Sequence, residues 1–166
     1  MAAPDGSAAP PPGLAVRPLL PSDLPAIRRI ERQSYAPSLR ESEPAFLSKM
    51  RLFPAGAVGC FAGDDLCGYA FALPWMRSAT IGVAQVIDAL PARPDVMYIH
   101  DMVVAPARRR QRVASTLLTE VLRIASALSF DRLALVAVQG SEPFWRRELS
   151  SHCTRPRPHS RLLKMP

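Results

Sequence analysis

The sequence predicts an α/β domain of the α+β kind: a mixed, mostly antiparallel twisted sheet flanked by helices. Two observations point there. Short apolar runs at residues 57–62, 66–73, 97–104 and 133–138 read as strands, the first two joined by the turn residues Gly63-Asp64-Asp65. Leu117, Leu118, Val121, Leu122, Ala125 and Leu128 then fall on one face of a helix that begins near Val113. The size agrees: 166 residues, 48% hydrophobic and 21% charged, suit one domain with a full core.

Taken in order, residues 14–20 alternate as a first strand. Pro21-Ser22-Asp23 opens a helix with Pro25 in its first turn, and Leu24, Ile27 and Ile30 carry it to about Gln33. Residues 34–40, with Pro37, form a loop. Ser42 caps a second helix bearing Phe46, Leu47 and Met50, which Pro54-Ala55-Gly56 ends. The antiparallel hairpin follows. Residues 77–95, with Pro91 and Pro94, form a long connection on the substrate side. The strand at 97–104 leads through a basic loop, 106–112, into the long helix. Residues 133–138 are apolar throughout, as suits a central strand covered on both faces. A short helix at 143–148 comes next.

Residues 1–13 read as a disordered Ala/Pro tail, 14–149 as the folded domain and 150–166 as a short, divergent C-terminal segment. In that segment residues 160–165 have strand character. It forms a minimal hairpin, a disordered tail, or an end that leaves a sheet edge unpaired; the last would favour a homodimer.

No apolar run reaches the roughly 18 residues a membrane-spanning helix needs. The first residues lack the basic and apolar blocks of a secretory signal and the arginines of a mitochondrial one. Cys60, Cys67 and Cys153 show no metal-binding or redox spacing, and an odd count fits free thiols in a reducing compartment. The expectation is a cytoplasmic protein without a metal, with Cys60 and Cys67 in the core. The net charge of +7 suggests an anionic partner, although 18 prolines and many alanines and arginines also fit a compositional bias.

Residues 98–118, YIHDMVVAPARRRQRVASTLL, carry the chemistry. A strand ends in a tight basic loop that opens a long helix. The first N–H groups of a helix lack internal partners and the dipole adds positive potential, so a pyrophosphate fits there. The segment resembles the GNAT acetyltransferases, whose strand ends in V-x-P before an R-x-x-G-x-G/A loop and a helix with Leu-Leu. Val104, Pro106, Arg109, Ala114, Ser115, Leu117 and Leu118 fall on that pattern. Within the superfamily the chain looks most like the arylalkylamine N-acetyltransferase branch, on IERQSY (30–35), GYAFALPW (68–75), IHDMVV (99–104) and PFW (143–145).

The resemblance implies a sheet whose central parallel pair splays to admit acyl-CoA. It implies that backbone groups across Arg110, Gln111, Arg112, Val113, Ala114 and Ser115, with Arg109, hold the pyrophosphate of acetyl-CoA, and that Met102, Val103 and Val104 bond the pantetheine arm. Arg112 stands where the family has its middle Gly; its side chain crowds the phosphates, or binds them if its backbone keeps φ < 0. In the family reaction a free amine attacks the acetyl thioester, so a base must take the amine's proton. His100 and Tyr98 are the candidates. They lie two apart on one strand and share a face, which puts Asp101 on the other, in a structural role. Trp145 stands at the position of the family's general-acid Tyr and packs against the cofactor arm. Glu31, Tyr35, Phe71 and Trp75 are the candidate acceptor contacts, the last two as an aromatic wall.

Competing readings are an acyl-CoA-binding module that lacks catalysis, motivated by Arg112, Trp145 and the divergent end, and a nucleic-acid-binding protein using Arg108 to Arg112. Against the latter, no aromatic residue interleaves the arginine run. The expected partner is a small-molecule or peptide amine. The basic surface disfavours polycations, and an aromatic or small neutral-bodied amine fits better.

Overall fold

A computed structural model describes residues 10–152 and 163–164. Its strands are β1 (Ala15–Pro18), β2 (Ala57–Ala62), β3 (Asp65–Trp75), β4 (Val96–Val104), β5 (Leu133–Leu135) and β6 (Leu163–Lys164). Its helices are α1 (Leu24–Ser34), α2 (Glu43–Leu52), α3 (Val113–Ala127) and α4 (Glu142–His152). The strands form one sheet in sequence order. The first four pair antiparallel, and β5 pairs parallel to β4 and β6 parallel to β5. The predicted mixed α/β sheet is therefore present, with its parallel pair where β4 meets β5.

Local sequence accounts for most boundaries. Asp23 accepts the Leu20 N–H at 2.8 Å and pairs with Arg17 at 2.8 Å, which fixes the single 3-10 turn before α1. Ser42 Oγ accepts the Ala45 N–H and caps α2. Gly63, at φ 58°, makes the hairpin turn between β2 and β3.

Each sheet face has its own core. Leu117, Leu118 and Val121 of α3 pack on Val58, Cys60, Ala70 and Ile99. Ile27 and Ile30 of α1, with Phe46 of α2, pack on Tyr69, Phe71 and Val103. Gly68 lets α3 close down, because a Cβ there would sit 2.7 Å from the Val103 carbonyl oxygen and 2.9 Å from Val113 Cγ1. Cys60 and Cys67 are buried free thiols, and burial pushes the Cys60 thiol up to about 11. The connection 77–95 has no regular structure, yet Ile81 and Ile87 cover Leu73, Val96 and Tyr98 as a third core.

Three expectations need correction. The strand expected over 133–138 stops at Leu135, where pairing with β4 ends at Ile99. The short helix expected at 143–148 runs over Glu142–His152. The third correction concerns β4. Its register against β3 slips between Phe71↔Asp101 and Ala72↔Ile99, so His100 is the extra residue of a β-bulge. Such a residue breaks the strict alternation of faces. His100 and Asp101 consequently share the α1/α2 face, where the sequence had set them on opposite faces. Residues 1–9 of the N-terminal tail, and Cys153 with most of the C-terminal segment, lie outside the described residues.

Candidate functional site

A cleft of 830 Å³ opens where β4 parts from β5. Beyond Ile99, β4 has β3 as its ladder partner and its other edge faces the cleft, lined by Met102, Val103 and Val104. The loop before α3 lies at one end and the bulge at the other.

At the loop end, the first helical bond of α3 runs from Thr116 N–H to the Arg112 carbonyl at 3.0 Å. The N–H groups of Val113, Ala114 and Ser115 precede it, and all three residues line the cleft with Arg109, Arg110 and Arg112. The arrangement suits an anion. Arg108 also lines the cleft and pairs with Asp65 at 2.9 Å. Gln111 does not line the cleft; its amide donates to the Ala107 carbonyl at 3.2 Å and braces the loop. Arg110 and Arg112 take φ of 63° and 65°, the left-handed region that favours glycine. The φ < 0 backbone that would let the Arg112 side chain bind the phosphates is therefore not adopted; the residue that opens α3 takes the left-handed form. Arg112→Gly is expected to relieve about 1 kcal/mol of strain and raise Tm by roughly 2–4 °C, measurable by thermal unfolding.

Trp145 of α4 is buried, meets Phe144 edge to face at 5.2 Å, and lines the cleft while packing on the α3-side core. An indole donates one hydrogen bond and is no proton donor at neutral pH.

At the bulge end, Ser34, Tyr35, Tyr98, His100, Asp101 and residues 80–83 line the cleft. The Tyr35 hydroxyl donates to Asp101 Oδ1 at 2.8 Å. His100 Nε2 lies 2.9 Å from Glu41 Oε1. Glu41 also accepts from the Lys49 ammonium at 3.0 Å and from the Ala84 N–H at 3.2 Å. Its own N–H donates to Glu31 Oε1 in a short contact. Glu31, Glu41 and Lys49 are all buried. Lys49 donates as well to the Gln85 carbonyl, and Ser48 Oγ accepts the Ile87 N–H, so this network straps the connection 77–95 onto α2.

Electrostatics follow burial. Burial raises the carboxyls of Asp101 and Glu31 above their ordinary range, and the hydrogen bonds from Tyr35 and from the Glu41 N–H offset this only in part. Burial pushes Glu41 up too, but the His100 hydrogen bond and charge, together with Lys49, hold its carboxyl below the usual range. Burial and the Asp101 carboxylate raise the Tyr35 hydroxyl, and burial raises that of Tyr98.

Of the predicted residues, the cleft brings together Tyr98, His100, Met102, Val103, Val104, Arg109, Arg110, Arg112, Val113, Ala114, Ser115, Trp145 and Tyr35. Glu31 sits behind it, facing Glu41. Phe71 and Trp75 form no wall of the cleft. Phe71 is sealed against Phe46 and Tyr69 on the α1/α2 side, and Trp75 packs beside Leu73 in the third core. Glu41 and Lys49 escaped sequence reasoning. The one available signal was that Lys49 is one of two lysines in a chain that otherwise uses arginine.

Residues 24–149 match the profile of the Acetyltransferase (GNAT) family. No curated protein sequence matches the chain significantly. Among solved structures it resembles the GphF GNAT-like decarboxylase in complex with isobutyryl-CoA, at 24% identity and TM-score 0.57 over 67% of this chain and 58% of that one. It also resembles the ribosomal-protein-S18-alanine N-acetyltransferase from Escherichia coli, at 19% identity and TM-score 0.60 over 84% and 76% of the two chains. A third is the diaminobutyrate acetyltransferase EctA from Paenibacillus lautus, in complex with L-2,4-diaminobutyric acid and coenzyme A, at 17% identity and TM-score 0.63 over 84% and 74%. At these identities the structural likeness, with TM-scores of 0.57, 0.60 and 0.63, shows a shared fold alone. Among the described residues no helix is long and apolar enough to cross a membrane.

Proposed function

The chain belongs to the acetyltransferase (GNAT) family, and we propose from this that it transfers the acetyl group of acetyl-CoA to a primary amine by direct attack on the thioester. The observation that carries the proposal is the single cleft that joins an anion-binding helix start to a histidine on a strand bulge.

The residues present fit acyl-CoA. The free N–H groups at the start of α3, with Arg109 and Arg110, suit its phosphates. The open edge of β4 at 102–104 suits the amides of its arm, and the apolar side of Trp145 walls the same cleft. Bound acetyl-CoA supplies an activated acyl carbon that gains a C–N bond as its C–S bond breaks and the electron pair leaves on sulfur. His100 takes the proton that the amine sheds. A backbone N–H on the open edge of β4 polarises the acyl carbonyl. Tyr98, its hydroxyl raised by burial, remains protonated and orients the amine or a water. The tryptophan on α4 is tolerable because a thiolate is a good leaving group, thiols titrating near about 8.5.

The acceptor carries an ammonium group at neutral pH, and the buried carboxylates behind Tyr35 and His100 suit its approach. The resemblance of four segments to the arylalkylamine branch makes an aromatic amine one class to test, although neither Phe71 nor Trp75 walls the cleft.

Calorimetric titration with acetyl-CoA, then thiol release against amines including tryptamine, phenylethylamine and a short diamine, tests the proposal. Saturable binding near micromolar with amine-dependent thiol release is the expected result. Binding without release against any amine favours an acyl-CoA-binding module, the reading that Trp145 and Arg112 would support. A carboxyacyl-CoA that loses CO2 while its thioester stays intact would favour instead the decarboxylation chemistry of the GphF enzyme.

A further inference from the structure

His100 carries two different nitrogens. Nε2 faces Glu41, whereas Nδ1 is buried with no hydrogen-bond partner among the described residues, on a residue that lines the cleft. Glu41 can only accept, since the buried Lys49 ammonium pairs with its carboxylate. Its Oε2 takes the Lys49 ammonium at 3.0 Å, and its Oε1 takes the Ala84 N–H at 3.2 Å and His100 Nε2 at 2.9 Å. Nε2 must therefore carry the hydrogen, which leaves Nδ1 of the neutral ring as a bare lone pair. The side chains of Lys49, Glu41 and His100 are 0%, 5% and 6% exposed, so this chain of contacts lies largely out of solvent.

We propose that Glu41, held in turn by Lys49, is a positioning residue that locks His100 in the Nε2–H tautomer and presents Nδ1 as the base toward the acceptor amine. The step is a proton transfer: the amine's N–H bond breaks, the proton bonds to Nδ1, and the resulting imidazolium is stabilised by the Glu41 carboxylate through Nε2–H. The same logic holds wherever a buried carboxylate orients a general-base histidine. Glu41 lies in the loop before α2 and His100 on β4, so the pair also couples the strapped connection 77–95 to the reacting end of the cleft. The inference rests on His100 acting as the base of the proposed reaction.

Glu41→Gln tests it. The Lys49 ammonium only donates and will hold the amide oxygen, so the amide NH2 turns to Nε2 and drives the ring hydrogen onto Nδ1. The tautomer is read by 15N NMR of the ring nitrogens in the full chain, which has three histidines, with His100→Gln assigning the signal. The expected result is Nε2–H in the wild type and Nδ1–H in Glu41→Gln. In the same variant kcat falls by about 10²-fold or more while KM for acetyl-CoA stays within about twofold. Glu41→Asp, which keeps a carboxylate, recovers most of kcat. In the His100→Gln background Glu41→Gln adds no further loss, because Glu41 acts through the ring. Nδ1–H in the wild type would overturn the proposal. So would an unchanged tautomer and kcat in Glu41→Gln, or a kcat loss of equal size in both backgrounds. Should the wild type show the Nε2–H form yet release no thiol with any amine, the acyltransfer reading falls and the tautomer assignment stands.

Discussion

His100→Gln lowers kcat for amine acetylation by about 10²–10⁴-fold, the usual contribution of a positioned general base, and leaves acetyl-CoA affinity within about twofold. The two halves of that expectation come from the two ends of the cleft. His100 is the extra residue of the β4 bulge, at the end where Tyr35 and Asp101 also line the wall. The loop that suits the phosphates is built from Arg109 to Ser115, beyond the open edge of β4. Gln is the informative substitution because it still donates to Glu41 and fills much of the ring's place, so Glu41 is not stranded as an unpaired buried charge. Steady-state kinetics with calorimetry of acetyl-CoA binding separates the two effects. A loss of affinity matching the loss of kcat would mean that the bulge holds the cofactor rather than the proton.

Lys49→Met is expected to cost about 3–5 kcal/mol of stability and to lower Tm by roughly 10 °C, since it removes one partner of a fully buried ion pair. Met keeps the length of the side chain but none of the bonds to Glu41, Ala45 and Gln85. The pH dependence distinguishes lost charge from lost packing. In the wild type the Glu41 carboxyl is depressed, so the stability it contributes is present above the usual carboxylate value near 4.5 and is lost as pH falls through its lower folded-state value. Without Lys49 that folded-state value rises, and protonation at falling pH then relieves an underpaired buried charge. The stability gap between wild type and variant is widest near neutrality and narrows as pH falls through the carboxylate range. Denaturant unfolding at several pH values measures it; a gap independent of pH would assign the cost to packing alone.

The fold and the loop end of the cleft were legible in the sequence because their signals are local. The apolar stripe of Leu117, Leu118 and Val121 gave α3 its face, and the helix starts at Val113 as its pattern implied. Ser42 announced α2 and Gly63 the hairpin. The bulge end was legible only in part. The bulge adds one residue inside the run MYIHDMVV, whose composition reads as regular alternation, so Asp101 was set on the face opposite His100. Nothing near Glu41 marks it as buried, for its partners Lys49, Ala84 and His100 are supplied by α2, the long connection and β4. Aromatic character alone could not tell a cleft wall from a core, and Phe71 and Trp75 proved to face packed side chains. Residues 136–138 looked like strand because they are apolar, but beyond Leu135 the chain has left β4, and Val136 and Val138 line the cleft.

The most direct test of the account is the stoichiometry of products when wild-type protein turns over acetyl-CoA with an accepted amine. The account predicts one N-acetylated amine, identified by mass spectrometry, for each free thiol released, with both rates falling together in His100→Gln. Thiol release without acetylated amine, or no dependence of the rate on amine concentration, would contradict it.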